Sequence, residues 1–345
     1  MKHYLTHHLT RLTAAGLAAL TLTGCAGGAS EGTPEDAETT WTLAVGQPEG
    51  STCWDAAESF AKALSDATEG AVAVEVQPVD IDRTTSLDQT MAGIVDLYLD
   101  SSLLYGSFDR RLHSVTMPFL FPDAETAAEV LDGTGGEALN TVLAELGLRG
   151  LAYGELGFRY LTADRPVIAP EDLEGLRIHT AGLLELYESY IDCWGVRLYP
   201  SSHSDVMTPL SNGTYNGQES TLAEADAAGY QTVQTDATIF PAFYEPAILT
   251  MNGDLYESLS PDLREAVDRC ARDAMADQRL RNREREAEIL ARWQEENGIA
   301  VHVLTEDQWG AFKALTDRIY DPEDPDHQKW FPGCTPEWAA QFRPS

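Results

Sequence analysis

The chain has 345 residues, 43% of them apolar, enough for one large or two ordinary hydrophobic cores. Its 56 acidic residues outnumber 23 basic ones, for a formal charge of -33. A field of that sign repels nucleic acid and anionic membrane surfaces and excludes both as partners of the folded chain.

The first 24 residues read as a signal peptide. Lys2 and Arg11 flank a weakly basic start, Leu12 to Leu22 is apolar and small, and Leu22-Thr23-Gly24-Cys25 forms a lipobox. The apolar run is too short for a permanent membrane helix. Cleavage before Cys25 and acylation of its thiol would leave the protein lipid-anchored to the outer face of the cell membrane. Residues 25–40 are Gly, Ser, Thr, Pro and acid with little to bury, and read as a flexible tether. Within them Gly28-Ala29-Ser30-Glu31-Gly32 matches a hydrolase nucleophile elbow in form only, because no strand precedes it and no helix follows.

Beyond the tether, Trp41 to Val45 reads as a strand, Trp54 to Ala67 as a helix with Ala57, Phe60, Ala61 and Leu64 on one face, and Ala71 to Val76 as a second strand. Ser86 is placed to cap a short helix to Ala92, and Ile94 to Leu99 reads as a third strand. This β-α-β-α-β opening predicts a mainly parallel sheet covered by helices, with ligands beyond the strand C-termini. Gln47, Trp54, Asp82, Asp100 and Ser101 lie at or near those ends, although ordinary loop polarity accounts for each of them as well. Helices are predicted over Ala124 to Leu131, started by Pro122-Asp123, and over Glu137 to Leu146, and Leu148 to Tyr153 as a strand.

Further on, Arg159 sits on a short apolar segment that would present its planar donor fork to one side. Leu176 to Thr180 is a strand with Arg177 and His179 sharing a face. Leu183, Leu184, Tyr187, Tyr190, Ile191 and Trp194 recur at helical spacing and read as core. Val196 to Tyr199 is a strand and Ser202 to Leu210 a short helix. Glu245, between Phe243, Tyr244 and Pro246, is a partly buried acid that pairs with an arginine or meets a polar ligand. Ser260-Pro261 opens a charged helical run to Asn297, either unbroken or interrupted near Asn282. Ile299 to Leu304 is a last strand, and Thr305 with Gln308 makes a capping box for a helix carrying Trp309, Phe312 and Ile319. The aromatic residues Trp330, Phe331 and Trp338 give the Pro-rich end the means to dock.

Enzyme motifs are missing. There is no Gly-rich phosphate loop, dinucleotide fingerprint or HExxH, and His203 and Asp205, two apart, do not share a helix face. The reading is a binding protein with no cofactor, a lipid-anchored extracellular hydrolase being the alternative of another class. Cys53, Cys193, Cys270 and Cys334 match no zinc spacing, so no metal is expected, and their even number outside the cytoplasm predicts at least one disulfide.

Four stretches, in order, carry a family resemblance: MPFLFPDAETAAEVLDG from Met117, GFRYLT from Gly157, RPVIAPEDLEGLRI from Arg165 and YNGQES from Tyr215. Over roughly residues 41 to 320 the chain resembles the DctP family, the substrate-binding subunits of tripartite ATP-independent periplasmic (TRAP) transporters. The resemblance implies a two-domain α/β, periplasmic-binding-protein-like fold with mixed, mainly parallel sheets and a long bracing helix. Its expected parts are a first domain over 41–153, a second over 154–250, and 251–345 packing on both. It implies extracytoplasmic capture of a small solute in the interdomain cleft by closure, and delivery to a membrane permease driven by an ion gradient.

The resemblance also implies a site. Arg159 matches one cleft arginine of the family, His179 stands where the family usually has a second, and Ser220 stands where it has an asparagine after the GQE turn containing Glu219. Phe243, Tyr244 and Glu245 belong to the same region in the family pattern. A histidine offers a carboxylate one donor where an arginine offers two in parallel, a loss of roughly 1.5 to 3 kcal/mol. Two ligand classes follow: an organic acid held by Arg159, or a neutral or cationic polar solute contacted by His179, Ser220 and acids such as Glu245 or Asp82.

Overall fold

A computed structural model describes residues 37–79, 82–180, 193–200, 206–321, 323–324 and 335–342. The first half opens with β1 (Thr39–Val45), α1 (Thr52–Ala67), β2 (Val72–Pro78), α2 (Arg83–Met91) and β3 (Leu97–Ser101). Short α3 (Ser102–Gly106), then α4 (Ala124–Asp132) and α5 (Thr134–Glu145), lead into the 16-residue β4 (Leu148–Ala163). Next come β5 (Arg177–Thr180), β6 (Arg197–Pro200), α6 (Met207–Ser211), β7 (Gly217–Thr221), α7 (Leu222–Ala228) and the 17-residue β8 (Asp236–Asn252). The chain ends with α8 (Gly253–Ser258), α9 (Pro261–Arg292), β9 (Ala300–Val303), α10 (Glu306–Thr316) and α11 (Pro336–Ala340).

All nine of these strands form one mixed sheet in the order β2-β1-β3-β8-β4-β7-β5-β6, with β9 also on β8. The central pair β8 and β4 is antiparallel and long enough to serve both halves. The C-terminal part of β8 borders β3 and its N-terminal part borders β9, while the C-terminal part of β4 borders β7. The strand from Leu148 to Tyr153, expected to begin a crossing between domains that share strands and have no clean cut point, is the first part of β4, which continues to Ala163. Register shifts between Glu155 and Gly157 and between Arg159 and Leu161 bend the pair at its middle.

The 32-residue helix α9 begins at Pro261 with Ser260 as its cap, runs unbroken through Asn282, and ends in a π turn and left-handed Gly298. It crosses the bend. Gln278 Nε2 donates to Thr52 Oγ1 at 2.9 Å and to the Glu155 carbonyl at 2.7 Å, and its Oε1 accepts from the Glu155 amide at 2.8 Å. Arg279 pairs with Asp132, and Arg283 with Glu155 and Glu125. Glu155 also accepts from the Tyr244 hydroxyl at 2.9 Å. Gly157, at φ 101°, is required at the bend, because a Cβ there would lie 2.0 Å from Glu286 Oε1.

Packing divides around the sheet. Phe60, Leu64, Cys53, Val267 and Met275 fill the space between α1, α9 and the first strands, while Leu161, Phe240, Phe243, Trp194 and Phe312 form a core under α10. Cys53 and Cys270 are unpaired buried thiols, so the expected disulfide does not involve them; on α1 and α9 they pack as small apolar residues. Cys334 lies outside the described residues. So do Cys25 with its lipobox, most of the aromatic stripe from Leu183 to Ile191, His203 and Asp205. The C-terminal end docks through Trp338, which donates to Ser114 Oγ at 2.7 Å, and buried Phe342.

Several boundaries differ from expectation. Asp82, not Ser86, caps α2. Ile94 is 71% exposed in the turn before β3, which starts at Leu97. The GQES segment is strand β7.

Candidate functional site

The end of β3 and the bent middle of β4 and β8 bring charged side chains together under cover. On β3, Asp100 is fully buried and accepts from the Tyr98 hydroxyl at 2.7 Å, the Ser101 amide at 2.7 Å and Gln47 Nε2 at 3.2 Å. The fork of Arg83, at the first position of α2, closes on the same carboxylate, with Nε to Oδ2 at 2.7 Å and Nη2 to Oδ1. A side chain at Gly46 would collide with this group, since its Cβ would stand 2.0 Å from Asp100 Oδ2.

The second half supplies Arg159 from β4, only 3% exposed. Its Nε donates to Glu219 Oε1 at 2.8 Å, its Nη2 to the Glu219 carbonyl at 3.1 Å, and its Nη1 to Glu245 Oε2 at 2.5 Å. Glu224 Oε2 stands 3.5 Å from Nη1. The other oxygen of Glu245 accepts from the Ser101 hydroxyl at 2.5 Å, and Glu219 Oε2 from Thr180 Oγ1 at 3.4 Å. One guanidinium thus faces three carboxylates. Burial raises the pKa of Glu219 and Glu245, Arg159 opposes the rise, and the neighbouring acids add to it.

The strand registers divide the expected anion contacts between two faces. Arg159 lies opposite Thr221 and shares a face with Glu219 and Thr180. Ser220 lies opposite Tyr160 and His179 beside Gln218, on the other face. There the Ser220 hydroxyl donates to Gln218 Oε1 at 2.9 Å, and the His179 ring stacks at 6.2 Å from Tyr215. The three residues expected to grip one carboxylate therefore do not converge.

Other expected residues have different work. Tyr244 points to Glu155 and the core, Phe243 packs under α10, and Trp54 donates from its indole to Glu58 at 3.0 Å along α1. Asp82 accepts from the Thr85 hydroxyl at 2.5 Å and, as a helix cap, from the Thr85 amide at 2.8 Å, and these bonds hold its carboxyl below the usual range. Ser101, Asp100, Gln47, Glu219 and Glu245 do join the arginine cluster or its neighbour. Arg83 and Glu224 were not anticipated; each earns its place by a contact formed only in the folded chain.

A cavity of about 740 Å³ lies against this cluster. Its walls are the Gln47–Thr52 loop from the first half, Thr221, Ala223 and Glu224 from the second, and Leu156, Asn282 and Arg285 along the bend. Gln47 connects it to Asp100, and Glu224 connects it to Arg159. The volume suits a small organic molecule. No group of three or more His, Cys, Asp or Glu suited to a metal ion occurs among the described residues.

Residues 43–324 match the family model for bacterial extracellular solute-binding proteins, family 7 (DctP). The 2,3-diketo-L-gulonate-binding periplasmic protein YiaO of Escherichia coli is 29% identical over 273 residues, 77% of this chain and 81% of that one. Among solved structures, a TRAP periplasmic solute-binding protein of Chromohalobacter salexigens with bound D-glucuronate is 26% identical with a TM-score of 0.76, covering 88% of this chain and 97% of that one. Another from Ochrobactrum anthropi, with its C-terminus in the ligand-binding pocket, is 26% identical with a TM-score of 0.78, covering 89% and 95%. The fold and the match over most of its length establish that this chain belongs to the DctP family of TRAP solute-binding proteins.

Proposed function

We propose that the protein captures a small neutral or cationic polar solute in the cavity beside Arg159 and hands it to the membrane subunits of a TRAP-type permease. The observation that carries the choice of ligand is the filling of the Arg159 fork by Glu219 and Glu245. The cavity walls carry the acids Glu224 and Glu49 beside the cation Arg285, and an acid must displace a buried carboxylate to reach the Arg159 guanidinium. A hydroxyl or ammonium group finds acceptors there at no such cost. Closure of the two halves around the solute, bending at β4 and β8, couples binding to the form presented to the permease. In this reading Cys25 carries the lipid that holds the protein at the outer face of the membrane.

A second reading, an organic acid, is favoured by the sugar acid bound in the Chromohalobacter relative. The deciding experiment is a thermal-shift screen of the mature protein against small acids and their size-matched polyol and amine analogues. Ligand at about 100 times its Kd adds roughly 2.7 kcal/mol, a shift of several degrees. Hits among polyols or amines support the first reading. Hits confined to acids, lost in Arg159→Ala, overturn it in favour of the second.

A further inference from the structure

Both oxygens of Glu245 are held as the oxygens of a bound ligand carboxylate would be. One accepts from the Ser101 hydroxyl at 2.5 Å, at the strand end of the first half, and the other from Arg159 Nη1 at 2.5 Å in the second. Glu245 and Ser101 are each 2% exposed and Arg159 3%. Glu245 itself stands on β8 opposite Gly157, at the bend, where the glycine adds no side chain to the space. A hydroxyl and a guanidinium converging from two halves of a sheet make a seat for one carboxylate, and the chain fills that seat from its own backbone.

The acid is not needed to neutralise Arg159. Glu219 meets the guanidinium through its side chain and its carbonyl, and Glu224 adds a third carboxylate. A second fully buried acid beside an arginine already paired costs desolvation with little charge left to balance. Its placement is accounted for if its work is to occupy the position.

We infer that Glu245 is a specificity-determining residue, a built-in occupant of the carboxylate seat between Ser101 and Arg159, which closes the guanidinium to external acids. This rests on the proposed preference for solutes lacking a carboxylate. It makes the preference a property of one side chain on β8, independent of His179 and Ser220, which lie on the other face.

Glu245→Ala removes a fragment the size of acetate and leaves both seat partners in place. The test is a melting curve of the full mature protein, wild type and Glu245→Ala, titrated with sodium acetate against sodium chloride of equal ionic strength. The expected result is a saturable, acetate-specific rise of several degrees in Glu245→Ala and none in wild type. Absence of any acetate-specific rise in a folded Glu245→Ala protein overturns the inference. If that variant does not fold in either salt, Glu245→Ser withdraws the side chain from the seat and keeps a small polar group on β8. Titrated with D-glucuronate and methyl glucoside, it is expected to gain about tenfold or more for the acid and to change little for the neutral sugar. Equal affinities to wild type for both overturn the inference. The broader ligand reading fails separately: there the wild type, with Glu245 in place, already binds acids.

Discussion

Replacing Glu286 by glutamine should remove a pH dependence that the wild-type protein carries at its bend. Glu286 lies on α9 with Oε1 shut off from solvent, facing Gly157 and beside the Asn282 amide. Burial, then the nearby Glu155 carboxylate, push its pKa up to about 8, against a smaller opposing effect of Arg283. Arg283 has little to offer because its fork is engaged by Glu155, with Nε at 3.1 Å and Nη2 at 3.0 Å. The folded state therefore holds a proton on Glu286 at pH 7 that the unfolded chain, with an ordinary carboxyl, releases. Folding is favoured at low pH by this group, and that contribution is lost as pH rises from about 4.5 through 8. At about 1.4 kcal/mol per pH unit the ceiling is roughly 5 kcal/mol. Glu286 is only partly buried as a residue, so solvent relaxation brings the expected loss to roughly 2 kcal/mol.

Glutamine keeps the shape and cannot ionise. Urea unfolding of both proteins at pH 5, 7 and 8.5 isolates the effect, since every other titrating group cancels in the difference. The variant should match the wild type within about 0.5 kcal/mol at pH 5 and exceed it by roughly 2 kcal/mol at pH 8.5. A stability difference that is the same at all three pH values would falsify the assignment of a protonated Glu286.

Three further outcomes are expected. Gly157→Ala should cost about 2 kcal/mol or more in urea unfolding, from a left-handed φ and a clash with Glu286, and Glu286→Ala in the same chain should recover part of it; full additivity would rule out the clash. Gln278→Leu leaves the amide and carbonyl of Glu155 without their Gln278 partner, while the Thr52 hydroxyl keeps its bond to Asn282, and should cost about 3 kcal/mol by the same assay. A loss below 1 kcal/mol would show that these groups find other partners. Cys53, whose thiol burial pushes far up from its ordinary value, should resist a thiol-reactive dye in the native protein and react fully in urea; rapid native labelling of a chain retaining only this cysteine would contradict its burial.

The opening βαβ units and the long helix were legible because their signals are local. Apolar spacing marks α1, and Ser260-Pro261 marks the start of α9. Strand β8 was not legible, for an instructive reason. It contains Pro241 and Pro246, and proline argues against a central strand. In the structure Pro241 falls in the irregular segment between Thr238 and Phe243, and Pro246 lies opposite Glu155 at another of the register shifts, so both sit where the ladder is already broken. Ile94 misled in the opposite direction, as an apolar residue on an exposed turn. At the site, the choice between an arginine partner and a ligand for Glu245 was visible but not decided. Arg83 and Glu224 gave no local signal, because their partners Asp100 and Arg159 lie 17 and 65 residues away and meet them only through the sheet.

The placement of β8 also governs the order in which this protein can fold. β3 offers its free edge to residues 247–251 alone, and the outer face of β4 waits for the same strand. Until that segment has been made, some 90 residues after β4, a growing chain has helices and the β1, β2 and β3 trio but no centre to its sheet. Pairings so distant along the chain form slowly. Such a chain resists premature collapse by topology alone, and one cut short before Ala247 keeps an open β3 edge, ready to pair with another copy.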